Sequence, residues 1–118
     1  MPLTSRLPAG ERRVDQRHKV QFRTEGETRD GTTLSFEIAN ISRQGFMGVA
    51  PWTIDRGDRL LIRLPVLGQI EAFLAWVLDE RAGFQFERLI SPIDFERLLT
   101  VMTFGPESLT TGNRRRKR

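Results

Sequence analysis

The stretch VQFRTEGETRDGTTLSFEI, residues 20–38, decides the fold of this 118-residue chain. Apolar and polar side chains alternate in it on both sides of a polar gap, first from Val20 and then from Leu34. This two-residue period is typical of half-buried β-strands. The gap contains Arg-Asp-Gly at residues 29–31, and a three-residue hairpin loop ends on a residue at positive φ, which glycine adopts at low cost. The stretch therefore predicts an antiparallel β-hairpin.

The register of this hairpin follows from keeping its two apolar faces on one side of the sheet. That condition sets Phe22 opposite Ile38 and, two residues further along, Val20 opposite Asn40. The residues before Val20 must then leave the sheet beside those that follow Asn40. This neighbourhood becomes important for the function.

The rest of the chain continues the strand pattern. Ile38 and Ile41 cannot both face one core under strict alternation, so we expect the second strand to end or bulge near Ala39. Asp-Arg-Gly-Asp at residues 55–58 predicts a turn. Six short strands with tight turns favour a barrel. The four further strands are expected at residues 46–50, 59–64, 70–78 and 84–86, with a turn over residues 79–83 between the last two.

A helix is expected after the last strand. Ser91 has the side chain of an N-cap, Pro92 suits the first helical position, and Asp94 answers the positive end of the helix. An apolar stripe at three- and four-residue spacing follows. It consists of Phe95, Leu98, Leu99 and Met102. The fold class is therefore all-β, a six-stranded antiparallel barrel with a C-terminal α-helix over one open end and flexible N- and C-terminal arms.

Basic charge lies at the two ends of the chain. The sequence has 19 Lys+Arg against 15 Asp+Glu, a formal +4. Residues 114–118 supply five positive charges and residues 1–19 a local excess of three, which leaves residues 20–113 with a formal −4. An acidic middle argues against direct binding of nucleic acid.

The residue inventory excludes most familiar catalytic and metal sites. The sequence has no cysteine and one histidine, His18, so it can form no disulfide, no thiolate metal site and no multi-His metal site within the chain. It offers no nucleophile paired with a base, so we predict no catalytic residues, no metal site, no cofactor and no enzyme. No apolar run approaches the roughly 18 residues that span a bilayer, and residues 1–10 lack the apolar stretch of a secretory signal. We therefore expect a cytoplasmic protein without membrane insertion.

Two short patterns stand apart from the alternation of the strands. They are RRVDQR at residues 12–17, in which Arg13 and Arg17 are four apart, and NISRQG at residues 40–45. Each alone is weak evidence, because arginine pairs and Asn/Ser/Gly turns are common. The hairpin register, however, brings the first pattern to the neighbourhood of the second without reference to any ligand.

Together the two patterns resemble the signature of the PilZ family, bacterial receptors for the second messenger cyclic di-GMP. That signature is R-x-x-x-R in an N-terminal arm, followed by [D/N]-x-S-x-x-G on a six-stranded barrel. Arg13 and Arg17 match the first half, and Asn40, Ser42 and Gly45 match the second. The resemblance implies a PilZ-type barrel and a PilZ domain at residues 11–104. Because the two ends of the chain have no apolar period, we expect a flexible N-terminus at residues 1–10 and a disordered basic tail at residues 105–118.

The resemblance also implies a role for each residue of the signature. Arg13 and Arg17 would close on the phosphates and guanines of cyclic di-GMP, which a guanidinium can engage through two parallel hydrogen bonds. Asn40 and Ser42 would hydrogen-bond a guanine. Gly45 would let the backbone come close to the ligand.

Two further arginines complete the implied site. Arg12 stands at a position associated in the family with uptake of an intercalated ligand dimer, so either one or two molecules could bind per chain. Arg43 either touches the ligand or lies in solvent. An arm with excess positive charge would become ordered on a ligand of charge −2 and so create a surface for a downstream protein partner.

Three functions stay open from the sequence. The favoured one is a cyclic di-GMP receptor that signals through protein contacts. The second is a PilZ-like protein-interaction module that does not bind the nucleotide, and the third is a small nucleic-acid-binding barrel, which only the basic tail supports. An aromatic platform for nucleic acid is not expected, because Trp76, Phe84 and Phe86 are predicted to lie in the core.

Overall fold

The structure, a computed structural model, describes residues 16–106. Its elements are His18–Thr28 (β1), Thr33–Ile41 (β2), Gly45–Val49 (β3), Arg59–Leu64 (β4), Gly68–Leu78 (β5), Arg81–Phe86 (β6) and Pro92–Phe104 (α1). The six strands form a closed antiparallel barrel in the order β1-β2-β3-β6-β5-β4. The predicted all-β barrel with a C-terminal helix is confirmed. The predicted flexible N-terminus and basic tail fall almost entirely outside the described residues.

The β1–β2 hairpin forms as its sequence predicts. Phe22 lies opposite Ile38. The turn closes with a hydrogen bond of 3.0 Å from the N–H of Gly31 to the carbonyl oxygen of Thr28, and Gly31 has φ 88°. The glycine therefore supplies the positive φ that this loop requires.

The register of the hairpin changes at its open end. Asn40 lies opposite Lys19 and not opposite Val20, because β1 carries an irregularity between Lys19 and Phe22. Such a bulge sets two residues of one strand against one residue of its partner. The prediction of Val20 opposite Asn40 was therefore wrong by one residue, although the chain before β1 still emerges beside Asn40.

A second irregularity lies on the other edge of β2. The pairing of β2 with β3 shifts between Ile38 and Asn40, at Ala39. As a result Ile38 and Ile41 are both fully buried. The predicted bulge near Ala39 is confirmed, and its physical reason is that two isoleucines three residues apart both belong to the core.

The turn between β5 and β6 is tighter than predicted. β5 continues to Leu78 and β6 begins at Arg81, so the loop contains two residues and not five. Asp79, the first of them, has φ 59°, the left-handed conformation that aspartate tolerates better than most residues. Gly83 belongs to the strand, where the sequence suggested a turn.

Helix α1 begins and packs as its sequence predicts. The hydroxyl oxygen of Ser91 accepts a hydrogen bond of 3.3 Å from the N–H of Asp94, and Pro92 occupies the first turn. The apolar face of α1 joins the barrel core through Phe95, Leu98 and Met102, with Leu99 half-buried at its edge. The ring of His18 lies 5.5 Å from that of Phe95. Within residues 16–106 the structure has no helix long and apolar enough to cross a membrane.

At the tip of the β1–β2 hairpin, the carboxylate of Asp30 stabilises the fold to a degree that depends on pH. Asp30 accepts hydrogen bonds from the hydroxyl group of Thr28 and from the N–H of Thr32, the latter at 3.1 Å. The bond from Thr28 and those from Thr32 lower the pKa of Asp30 below its ordinary value of about 3.8. Because the folded-state pKa is the lower one, these bonds stabilise the fold above the ordinary value and are lost as pH falls through the folded pKa.

We expect Asp30→Asn to lower the midpoint of thermal unfolding at pH 7, and this difference from the wild type to shrink as pH falls from about 5 to about 2. The reason is that protonation removes from wild-type Asp30 the same negative charge that the asparagine lacks. Thermal unfolding followed by circular dichroism at several pH values measures the difference. A difference that stays constant over this range would contradict the assignment.

Candidate ligand-binding site

One residue of each predicted pattern meets the other at the open end of the β1–β2 hairpin. Nη1 of Arg17 donates a hydrogen bond of 3.0 Å to Oδ1 of Asn40. Arg17 is exposed and directly precedes β1, whereas Asn40 is half-buried near the end of β2. The pairing of Lys19 with Asn40 brings the two side chains together. The structure thus joins the end of the arginine arm to the second pattern.

Ser42 organises the loop between β2 and β3. Its side chain is buried, with 1% of its surface exposed. Its hydroxyl oxygen accepts hydrogen bonds from the N–H groups of Gln44 at 3.1 Å and Gly45 at 3.3 Å, and its own N–H donates to the carbonyl oxygen of Gly45 at 2.8 Å. The structure therefore shows Ser42 holding the shape of the loop, a role that sequence reasoning missed. Its predicted contact with a guanine stays a prediction.

Gly45 lies where two strands approach each other closely. A Cβ atom built at this position would lie 1.9 Å from the carbonyl oxygen of Phe84 in β6. Only glycine fits such an approach of one backbone to another. The barrel itself thus requires Gly45, independently of the predicted approach of a ligand.

The remaining predicted site residues divide into two groups. Arg43 is half-buried in the β2–β3 loop, and its Nε donates a hydrogen bond of 2.6 Å to the carbonyl oxygen of Ile90. Arg12 and Arg13 lie outside the described residues. The structure therefore brings together residues 17 and 40–45 of the predicted site.

A shallow groove of about 150 Å³ extends from Arg17 over the barrel wall. It runs from the start of β3 along the interior of β5 and β6. Its lining residues are Arg17, Gln44, Gly45, Ala75, Trp76, Gly83, Phe84 and Gln85. None of them is acidic, and the one ion pair among residues 16–106 joins Arg59 to Glu71. Arg17 therefore forms no ion pair with a carboxylate in this range, which leaves its guanidinium available to an anion.

Trp76 forms one wall of this groove. Its indole lies directly over Gly83, since a Cβ atom at Gly83 would fall 2.1 Å from Nε1 of Trp76. The side chain is 44% exposed, so the prediction that Trp76 lies in the core was wrong. Phe84 and Phe86, predicted with it, are buried as expected.

The exposure of Trp76 has a local cause. Leu74 is buried, and strict alternation would turn Trp76 inward as well. The pairing of β5 with β6 shifts between Leu74 and Trp76, however, and this irregularity turns the indole outward. Gly83 was the available sequence signal, because a glycine inside a strand often marks a site of close approach.

The groups that line the groove are not typical metal ligands. Among residues 16–106, no three His, Cys, Asp or Glu side chains are grouped closely enough to hold a metal ion. What the groove offers is a guanidinium, side-chain and backbone amides and one exposed aromatic face. These groups suit a planar, negatively charged ligand.

Comparison with known proteins gives a family for residues 11–105. Over this range the chain matches the family model described as PilZ domain. No curated protein sequence matches the chain.

Two solved structures share the fold. One is YcgR from Escherichia coli in complex with c-di-GMP, with TM-score 0.55 and 18% sequence identity over 87% of this chain; the match spans 49% of that chain, about half its length. The other is the PilZ domain of Escherichia coli YcgR with c-di-GMP, with TM-score 0.52 and 19% identity over 86% of this chain and 94% of that one. At these identities the likeness shows a common fold.

Proposed function

The chain belongs to the PilZ domain family, and from this premise we propose that it is a receptor for cyclic di-GMP that binds its ligand where Arg17 meets Asn40. The two structural neighbours, whose own complexes contain c-di-GMP, support this choice of ligand. The protein acts by binding and carries out no reaction. It works in the cytoplasm.

One observation carries the proposal. The hydrogen bond from Arg17 to Asn40 joins the two halves of the family signature, which are 23 positions apart in sequence. The contact places the guanidinium that lines the groove beside an amide at its edge.

The chemistry of cyclic di-GMP fits this pair. A guanidinium binds phosphate oxygens, or O6 and N7 of guanine, through two parallel charge-assisted hydrogen bonds. The amide of Asn40 can both donate to and accept from a guanine edge. In the ligand complex Arg17 would exchange part of its contact with Asn40 for contacts with the ligand, so the bond seen here holds both groups in place beforehand.

The groove of the described residues is too small to enclose the ligand alone. Its volume of about 150 Å³ is below the roughly 300 Å³ at which pockets for small molecules begin. We infer that the preceding arm supplies the rest of the site through Arg13, with Arg12 available for a second ligand molecule. Fixing each residue of the arm costs about 1–2 kcal/mol, so several charge-assisted bonds to the ligand are needed to offset the ordering of the arm.

Trp76 adds a stacking surface to the proposed site. We expect Trp76→Ala to weaken binding of cyclic di-GMP by about 10- to 100-fold, because stacking of a base on an aromatic side chain contributes about 1–3 kcal/mol. Isothermal titration calorimetry measures the loss.

Phe73→Ala is the matched control for this prediction. Phe73 is a second exposed aromatic residue of β5, 37% exposed, and it does not line the groove. Its removal should leave the affinity within about threefold of the wild type. Equal losses in the two variants would show that Trp76 acts through the stability of β5 and not through the ligand.

Calorimetric titration of the wild type tests the proposal as a whole. We expect saturable binding of cyclic di-GMP with one or two molecules per chain, and at least about 100-fold weaker binding of GTP and of cyclic di-AMP. GTP lacks the second guanine, and adenine presents a donor where guanine presents O6. If no binding heat is detected at ligand concentrations up to about 100-fold above that of the protein, the proposal is contradicted and a protein-interaction module is favoured.

The proposed output is a contact with a second protein. An arm ordered on the ligand presents a surface that differs between the ligand-free and the bound states, and a partner that binds the bound state better shifts the equilibrium toward it. This step depends on the ordering of the arm by the ligand, and therefore on the binding that the titration above measures.

A further inference from the structure

Arg43 forms hydrogen bonds with both backbone groups of Ile90, a residue outside its own loop. Its Nε donates to the carbonyl oxygen of Ile90 at 2.6 Å, and its own carbonyl oxygen accepts from the N–H of Ile90 at 3.0 Å. Ile90 is 6% exposed and Arg43 is half-buried. Because water has little access to Ile90, losing the bond from Nε would leave its carbonyl oxygen poorly satisfied.

The residue held in this way stands directly before helix α1. Ser91, its neighbour, caps the helix by accepting from the N–H of Asp94 at 3.3 Å through its hydroxyl oxygen. The carbonyl oxygen of Ser91 accepts from the N–H of Phe95 at 2.9 Å. The position of Ile90 therefore determines where the first turn of α1 lies.

The same loop also holds the other end of the β6–α1 connection. The carbonyl oxygen of Gln44 accepts from the N–H of Phe86, the last residue of β6, at 2.8 Å. Consecutive residues of the β2–β3 loop thus fix both ends of residues 86–90. Since the hydroxyl group of Ser42 in turn accepts from the N–H of Gln44, the loop and the start of α1 are linked by a short series of hydrogen bonds, one of which the side chain of Arg43 donates.

Arg43 lies between the arginine arm and the helix. Together with Gln16 and His18, at the base of the arm, it lines an open groove of about 800 Å³ whose other wall is α1, at Ile93 and Leu99. Its Nη atoms make no hydrogen bond to any residue in the range 16–106, so one side of the guanidinium is committed to Ile90 and the other faces this groove.

We propose that Arg43 is a positioning residue that couples the loop of the ligand site to the start of helix α1 through Ile90. The sequence left Arg43 either touching the ligand or lying in solvent, whereas here its Nε is already engaged by the protein. Binding of cyclic di-GMP at Arg17 and Asn40 would fix the loop and thereby the first turn of α1. This coupling to ligand rests on the proposed function; the hold on Ile90 in the ligand-free protein does not.

Amide hydrogen exchange of the full chain, followed by NMR, tests both parts. Without ligand, we expect Arg43→Lys to speed exchange at Ile90, Asp94 and Phe95 about tenfold, the change in opening equilibrium that corresponds to one hydrogen bond. Lysine keeps the charge but has no Nε–H at the position that reaches Ile90. Arg88→Lys, at an exposed arginine of the same connection, is the matched control and should leave these rates within about twofold.

The second measurement adds saturating cyclic di-GMP. In the wild type, exchange at the same three amides should slow at least about fivefold. In Arg43→Lys, the slowing should be less than about twofold even though calorimetry shows binding within about tenfold of the wild type. Arg43→Gln serves as the second variant should the lysine variant fail to fold.

Each outcome decides a separate point. Unchanged ligand-free exchange in Arg43→Lys would overturn the hold on Ile90. Equal slowing by ligand in the variant and the wild type would overturn the coupling. If Arg43→Lys leaves the ligand-free exchange unchanged but lowers the affinity for cyclic di-GMP more than about 100-fold, the positioning role is overturned and Arg43 is a ligand contact. A wild type that does not bind cyclic di-GMP overturns the proposed function and the coupling with it, while the ligand-free comparison still decides the hold.

Discussion

Arg17→Ala should weaken binding of cyclic di-GMP at least about 100-fold and leave the midpoint of thermal unfolding within about 1 °C of the wild type. The loss is large because two charge-assisted hydrogen bonds, of about 1.5–3 kcal/mol each, would disappear with one side chain. The stability of the fold should stay nearly unchanged, because Arg17 is exposed and precedes the first strand. Its one described side-chain hydrogen bond is to Asn40. Calorimetry and thermal unfolding on the same preparation measure the two effects.

Two further variants isolate the role of Arg17. Arg23→Ala removes an exposed arginine of β1 that does not line the groove, and its effect on affinity should stay within about threefold. Arg17→Lys keeps the charge but loses the planar fork of donors, so we expect a loss of about tenfold or more. If Arg17→Ala and Arg23→Ala weaken binding equally, the site acts through general positive charge and not through the geometry proposed here.

Gly45→Ala should destabilise the barrel by at least about 3 kcal/mol, a large share of the roughly 5–15 kcal/mol that holds a typical domain folded. The new Cβ would lie 1.9 Å from the carbonyl oxygen of Phe84. Because that neighbour is backbone, β3 and β6 would have to separate and give up pairing between Gly45 and Gln85. Urea unfolding followed by fluorescence of the two tryptophans measures the loss.

Gly68→Ala is the control for this effect. Gly68 has φ 77° but open space around it, so an added methyl group strains the backbone without a collision. We expect a cost of about 1–2 kcal/mol. If Gly45→Ala is no more costly than Gly68→Ala, the glycine of the second pattern serves the ligand and not the barrel, contrary to the structure.

The strands and the pairing of the first hairpin could be predicted from the sequence, but of the three irregularities in β1, β2 and β5 only the one in β2 could. The pairing of Phe22 with Ile38 followed from alternation alone. The bulge in β2 left a signal, because two isoleucines three residues apart both had to be buried. The irregularities in β1 and β5 left none that alternation could detect, and each moved a residue of the candidate site: Lys19 took the place of Val20 opposite Asn40, and Trp76 turned outward.

The candidate site shows the same limit. The spacing of Arg13, Arg17 and Asn40 identified which parts of the chain should meet, because the register of a local hairpin determines it. The roles of Ser42 and Gly45 depend on other atoms, namely the amides of the loop and the carbonyl oxygen of Phe84, which lies 39 positions away from Gly45 in sequence. The close approach of Gly45 to β6 is long-range and does not follow from a motif, whereas the contacts of Ser42 are with amides two and three positions away. Both give a structural role to a residue that the motif alone assigns to the ligand.

A titration of the ¹⁵N-labelled protein with cyclic di-GMP, followed through its backbone amide resonances, tests the central claim most directly. We predict saturable shifts at Arg17, at residues 40–45 and at residues 83–85, with the basic residues 114–118 unaffected. Arg23, on the same strand as the site but outside the groove, should also keep its resonance. No shifts at saturating ligand, or shifts confined to residues 114–118, would contradict a cyclic di-GMP site at the contact between Arg17 and Asn40.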